Sequence, residues 1–190
     1  MPRQSAESTK RSILDSAYGL FYRRGFARVG VDEIAALAKV TKRTLYYHFK
    51  SKDQLLESVL ELQLELALVR VREHEKHYSG SATRFVSVLF SELKRWSAKP
   101  LWSGSGMTRI VMELADLQGH PARTVARRHK QHVQAWYMDM LRKAGVPSPK
   151  ERAKELHLLV EGANALILIS GDQGYADTAA RAAKRLVGKT

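Results

Sequence analysis

Thr41-Lys42-Arg43-Thr44-Leu45-Tyr46-Tyr47-His48-Phe49 is the stretch whose residue types and spacing carry the clearest chemistry. Thr41 suits an N-cap, so the stretch reads as a short helix ending near Phe49. Leu45 and Phe49 are four apart and face a core together. That turns Lys42, Arg43, Tyr46 and Tyr47 outward. A cationic start, hydroxyl donors and planar groups are what a helix needs to meet base edges, thymine methyls and sugars in a major groove. Lys52 opens the following helix, where unsatisfied N–H groups help a cation to meet a phosphate.

Other constellations offer less. The chain has no cysteine, which excludes disulfides, thiolate metal sites, iron–sulfur clusters and cysteine nucleophiles. His74 and His77, like His129 and His132, lie three apart on helical stretches and could chelate a metal. No third ligand of matching logic accompanies either pair, so solvated histidines are expected, with no metal and no other cofactor. Ser, His, Asp and Glu are all present, yet nucleophile-elbow, phosphate-loop and HExxH patterns are missing. No catalytic residue is expected, and the chain is not read as an enzyme.

The elements that must position this stretch are helical. Apolar residues recur at helical spacing between breaks at Pro100, Gly104, Gly106, Gly119-His120-Pro121, Gly145 to Pro149, and Gly171 with Gly174. No stretch alternates long enough for a sheet, so the fold class is all-α, with roughly nine helices. The first runs from about Glu7 to Arg24 and stops at Gly25; a second covers about Val31 to Lys39. With the helix after Thr41, these make a three-helix unit whose last two members form a helix-turn-helix. Ser51 caps a long helix from Lys52 to about His77. Later helices are expected over about Ala82–Ala98, Gly106–Leu117, Ala122–Ala144, Pro149–Ser170 and Ala176–Val187.

Charge agrees with this division. The chain of 190 residues carries 32 Lys and Arg against 19 Asp and Glu, a formal charge of +13. Residues 1–50 hold ten basic and four acidic residues (net +6), and the other 140 hold 22 and 15 (net +7). The first quarter is therefore more than twice as positive per residue, and it points to a polyanion. A boundary near residue 50 separates a helix-turn-helix domain, 1–50, from a larger helical domain, 51–190. Met1 to Ser5 show no apolar leader, and the apolar run Leu158–Ile169 is interrupted by Glu161 and Asn164 and is too short to span a bilayer. A cytoplasmic protein with no membrane partner is expected.

Residues from about 11 to 57 resemble the DNA-binding domain of the TetR family of bacterial transcription regulators. Ile13-Leu14 with Ala17, Leu20-Phe21, Gly25-Phe26, Val31-Asp32-Glu33-Ile34-Ala35, Ala38 and Val40-Thr41-Lys42 carry the likeness. Thr44-Leu45-Tyr46-Tyr47-His48-Phe49 and Lys52-Asp53-Gln54-Leu55-Leu56 complete it. The resemblance implies that Lys42 and Arg43 reach bases. It implies that Thr41, Thr44, Tyr46, Tyr47, His48 and Lys52 mostly contact phosphates or sugars, which set register. Arg11 and the arm before it would add backbone or minor-groove contacts. Three positions depart from the family pattern. Gly30 stands where Ser or Thr is usual, so Asp32 is expected to share the capping. Lys39 and Arg43 stand where glycine is common, and an arginine at 43 can grip guanine with two hydrogen bonds.

For the rest of the chain, the resemblance implies a ligand-binding and dimerisation domain. Its last two helices would pair with those of a second copy through Leu156, Leu159, Val160, Ala163, Ile167, Ala179, Ala183 and Leu186. Aromatic and soft residues cluster between positions 96 and 140, as a pocket for a bulky apolar effector would want. Trp96, Trp102, Met107, Met112, Trp136 and Tyr137 are its candidate lining, with His129 and Asn164 as polar anchors. The expected function is a homodimeric repressor, released from a palindromic double-stranded DNA operator by a small-molecule effector. The alternative is a basic architectural DNA-binding protein without sequence preference.

Overall fold

The computed structural model describes residues 5–77 and 80–188, with the backbone alone at 70 and 72–77. Nine helices follow one another among the described residues: α1 (Ala6–Arg24), α2 (Val31–Leu37), α3 (Lys42–His48), α4 (Lys52–His77), α5 (Ala82–Ser97), α6 (Gly106–Met112), α7 (Pro121–Lys143), α8 (Pro149–Ser170) and α9 (Gly174–Val187). No strand occurs among them. The chain divides into two compact units, Met1–Leu66 with Gly106–Arg127 and Ala67–Ser105 with Arg128–Thr190. This division differs from the expected boundary near residue 50 for two reasons. Helix α4 goes on burying Leu55, Leu56, Val59 and Leu60, and the segment from Gly106 returns to the first unit.

In the first unit, α1 starts where Ser5 Oγ accepts the Ser8 N–H (3.1 Å) and stops at Gly25, whose φ of +89° favours glycine. Ile13, Ala17 and Phe21 of α1, Ile34 of α2 and Leu45 of α3 are fully buried. Phe26 meets Phe21 edge to face at 5.2 Å. Helix α6 is tied to α1 by the Arg109 guanidinium, which donates to the Tyr22 carbonyl at 2.5 Å.

Helix α6 ends a turn earlier than the periodicity predicts. The backbone tightens to i→i−3 bonds at Leu114, Ala115 and Leu117. Arg123 then donates to the Leu114 and Ala115 carbonyls, at 3.0 and 2.8 Å. Glu113 meanwhile accepts the Ala27 N–H at 3.1 Å.

Helix α2 ends in a Schellman turn. Val40 N–H donates to the Ala35 carbonyl (3.0 Å) and Lys39 N–H to that of Ala36 (3.1 Å). The turn needs a left-handed residue, and Lys39 takes φ +56°. A side chain there costs about 1–2 kcal/mol, against the ~0.5–1 kcal/mol of extra backbone freedom that glycine loses on folding. Lys39→Gly is therefore expected to stabilise the protein by about 0.5–1 kcal/mol and raise Tm by roughly 1–4 °C. A melting curve checks this, and an unchanged or lower Tm contradicts it.

In the second unit, Phe85, Val86 and Phe90 of α5, Tyr137, Met140 and Leu141 of α7, Leu156 and Ala163 of α8, and Ala179, Ala183 and Val187 of α9 share one core. Alanines on α9 keep that helix slim, so α5 and α8 both pack against it. Lys94 of α5 pairs with Asp177 of α9 at 2.6 Å.

Candidate nucleic-acid interface

Helix α3 is seated by its apolar side and capped at its start. Leu45 and Phe49 are buried as the spacing requires. Thr41 Oγ1 accepts the Thr44 N–H at 3.1 Å, and the two threonine hydroxyls lie 2.9 Å apart. Lys42, Arg43, Tyr46 and Tyr47 are exposed, Tyr47 by 83%. Thr44 and His48 are half-buried, with the His48 ring against Tyr47 at 5.3 Å. The outward face expected from the sequence is thus present as a surface. Two planar phenols stand beside two cations on one short helix.

The cations are not equivalent. Lys42 Nζ donates to Asp32 Oδ2 at 3.0 Å, linking α3 to the start of α2. That hydrogen bond and the Asp32 charge hold the Lys42 ammonium above its ordinary pKa. Arg43 makes no ion pair among the described residues. Arg11 pairs with Asp15 one turn along α1, at 3.0 Å. Lys52 stands 4.3 Å above the Phe26 ring, and partial burial lowers its pKa. Ser51 caps α4 by accepting the Gln54 N–H at 3.0 Å.

The expected capping role of Asp32 is corrected by the structure. Glu33, one residue on, reaches back to accept the Gly30 N–H at 3.1 Å and also pairs with Arg24. These two partners, the Gly30 N–H first, hold the Glu33 carboxyl below its usual range. Asp32 is left to Lys42, an exchange between neighbours that local sequence does not distinguish.

The candidate pocket residues separate. Met107 and Met112 belong to the first unit, where Met107 is buried and Met112 is 70% exposed at the end of α6. An exposure that large fits no enclosed lining. Trp96, Trp102, His129, Trp136, Tyr137 and Asn164 belong to the second unit. Trp96 and Trp102 meet edge to face at 5.7 Å, and Trp136 does the same with Phe85 at 5.5 Å. Tyr137 is a core residue, with its ring 5.9 Å from that of His157. His129 is half-buried. Asn164 is buried and donates to the Val160 carbonyl at 2.9 Å, while its Oδ1 has no partner among the described residues.

One turn before Asn164, Glu161 pairs with Lys130 at 2.6 Å. Burial, with Lys130 nearby, pushes the neighbouring His157 imidazole below its ordinary range. Two cavities of this unit have other linings. One of about 210 Å³ is bounded by Ser81, Arg84, Phe85, Met140 and Lys143, and a groove of about 420 Å³ by Phe90, Lys94, Asp177 and Lys184 among others.

The residues expected at a dimer interface also sort by face. Leu156, Ala163, Ile167, Ala179 and Ala183 are buried within the protomer, and Leu159, Val160 and Leu186 are half-buried. The apolar side chains that α8 leaves outside are Leu158, Leu166, Leu168 and Ile169. Leu158, Leu166 and Ile169 are not among the residues expected at the interface, because α8 is apolar on two sides and periodicity cannot say which side is the core. Among the described residues, no three His, Cys, Asp or Glu side chains gather as a metal site would require. The side chains of His74 and His77 lie outside those residues. No described helix is long and apolar enough to cross a membrane.

Residues 13–59 match the family model described as bacterial regulatory proteins, tetR family. Over 95 residues the chain is 33% identical to the HTH-type transcriptional regulator TtgR of Pseudomonas putida, covering 48% of this chain and 45% of that protein. It thus spans under half the length of that relative. The HTH-type transcriptional repressor SCO4008 of Streptomyces coelicolor is 28% identical and covers 98% of this chain and 99% of its own. Among solved structures, reduced NemR of E. coli superposes with a TM-score of 0.87 at 21% identity, over 96% of this chain and 98% of that one, which is a likeness of fold.

Proposed function

Because residues 13–59 match the model of the tetR family of bacterial regulatory proteins, we propose that the chain is a regulator of this kind, a homodimeric repressor that reads a palindromic operator and leaves it when a small molecule binds. The observation that carries this reading is α3: capped by Thr41, anchored by Leu45 and Phe49, with Lys42, Arg43, Tyr46 and Tyr47 outward. In it Arg43 and Lys42 take base edges, while Thr41, Thr44, Tyr46, Tyr47, His48, Lys52 and Arg11 position the backbone. The repressor sense is supported by the similarity to the transcriptional repressor SCO4008. The DNA-reading part remains residues 1–50.

The second copy docks on the outer face of α8. Leu158, Gly162, Ala165, Leu166 and Ile169 are all exposed, and their spacing makes one stripe along the helix. Nothing lies within 4 Å of a side chain added at Gly162, which leaves room for a helix to approach. The effector enters the second unit beside Trp96, Trp102, Trp136 and Tyr137. The Asn164 Oδ1 and the Lys130–Glu161 pair give it polar anchors. DNA and effector then favour different arrangements of the dimer, and each lowers affinity for the other by the same factor.

The +13 charge alone also suits an architectural binder, and competition separates the two readings. In the presence of excess unrelated duplex, a repressor retains a small subset of fragments of its own genome. An architectural protein is titrated off all of them alike. Retention of no fragment over any other would overturn the proposal.

Lys52→Ala is expected to weaken operator and unrelated duplexes by similar factors. It should flatten the salt dependence by about 0.9 per half-site, because a phosphate contact releases counterions whatever the sequence. Binding isotherms at several salt concentrations check this. A loss confined to the operator would assign Lys52 to sequence reading instead.

A further inference from the structure

We propose that Asp32 is a specificity-determining residue of the reading surface, because it holds Lys42 in an ion pair that a non-cognate duplex breaks only at a loss. This rests on the DNA-binding reading above and adds to it a role for an acid. The pair is hydrogen-bonded at 3.0 Å, and both side chains are largely solvent-exposed. It bridges two helices of the recognition unit. Glu33 beside it is already engaged by Arg24 and the Gly30 N–H, so it offers Lys42 no second partner. Arg43, next along α3, has no such restraint among the described residues.

The consequence follows from where the charges stand. A duplex of the wrong sequence offers Lys42 only phosphates. If the pair stays intact, the duplex gains no counterion release from Lys42. If the pair opens, the Asp32 carboxylate is left facing a polyanion. Either way non-specific binding is weakened. In the right register Lys42 meets a base-edge acceptor, and that contact offsets the loss. Asp32 therefore lowers affinity for unrelated DNA more than for the operator, an instance of discrimination by a repulsive element.

The test uses the full chain and two duplexes: the palindrome that the intact protein enriches from random duplex DNA and a scrambled duplex of the same composition. Asp32→Asn is expected to tighten the scrambled duplex about three- to tenfold at 150 mM salt and to steepen its salt slope by about 0.9 per half-site. The palindrome should gain less than threefold, so the preference ratio falls. In a Lys42→Ala background, Asp32→Asn should leave that ratio unchanged. Asp32→Ser, which keeps a polar group in the first turn of α2, should behave like Asp32→Asn, and melting curves confirm that both fold.

An unchanged ratio in Asp32→Asn overturns the proposal. So does an equal change in the Lys42→Ala background, which would make the effect one of net charge. A larger loss on the palindrome than on the scrambled duplex also overturns it, since Asp32 would then position Lys42 rather than restrain it. If the unmodified protein shows no preference between the duplexes, the DNA-reading premise itself fails, a result distinct from these three.

Discussion

Arg43→Ala is expected to abolish tight operator binding while leaving the fold intact. A bidentate contact from arginine to guanine discriminates by about 1–3 kcal/mol. A symmetric dimer makes that contact once in each half-site, so the losses come to about 2–6 kcal/mol, or roughly 30-fold to more than 10,000-fold in Kd. Arg43 is exposed and has no ion pair among the described residues, so its removal leaves no buried group stranded. The melting temperature should stay within the small range of ordinary surface changes. Titration of single-base variants of the operator reads the assignment directly. Preference should relax at one base pair of each half-site and persist elsewhere. Equal weakening on operator and unrelated duplexes would place Arg43 on a phosphate.

Charging the outer face of α8 should have an effect of similar size by a different route. In Leu158→Glu combined with Ile169→Glu, a two-fold interface receives each new carboxylate twice and leaves it without a counter-ion. The substitutions sit at residues 73% and 81% exposed in the protomer, so the helices themselves should survive. Sedimentation should then report a species near the protomer mass of 21.4 kDa instead of twice that. Operator affinity should fall more than ~100-fold, because the second reading head loses the effective concentration that tethering supplies. A variant that stays dimeric would move the interface to another face.

Much of the first unit was legible because its signals are local. Thr41 and Ser51 cap where their side chains allow, and Leu45 and Phe49 fall inward by their spacing. What escaped the sequence depends on partners far along the chain. Helix α6 stops at Met112 although the pattern continues; just beyond it Arg123 takes the Leu114 and Ala115 carbonyls and Glu113 turns to Ala27. Asp32 and Glu33 are chemically alike, and only the fold decides that one meets Lys42 and the other Arg24. The aromatic and methionine cluster between 96 and 140 looked continuous. The chain distributes it between two units, so Met107 and Met112 part from the tryptophans. On α8 both sides are apolar, and burial alone separates Leu156 from Leu158.

The most direct test of the central claim is selection of bound sequences from random duplex DNA by the intact protein at about 150 mM salt, where non-specific phosphate binding is suppressed. Two reading helices related by a two-fold axis predict a palindrome whose half-sites lie about one helical turn apart. Recovery of unenriched sequence would contradict a sequence-reading dimer and return the chain to the class of basic architectural binders.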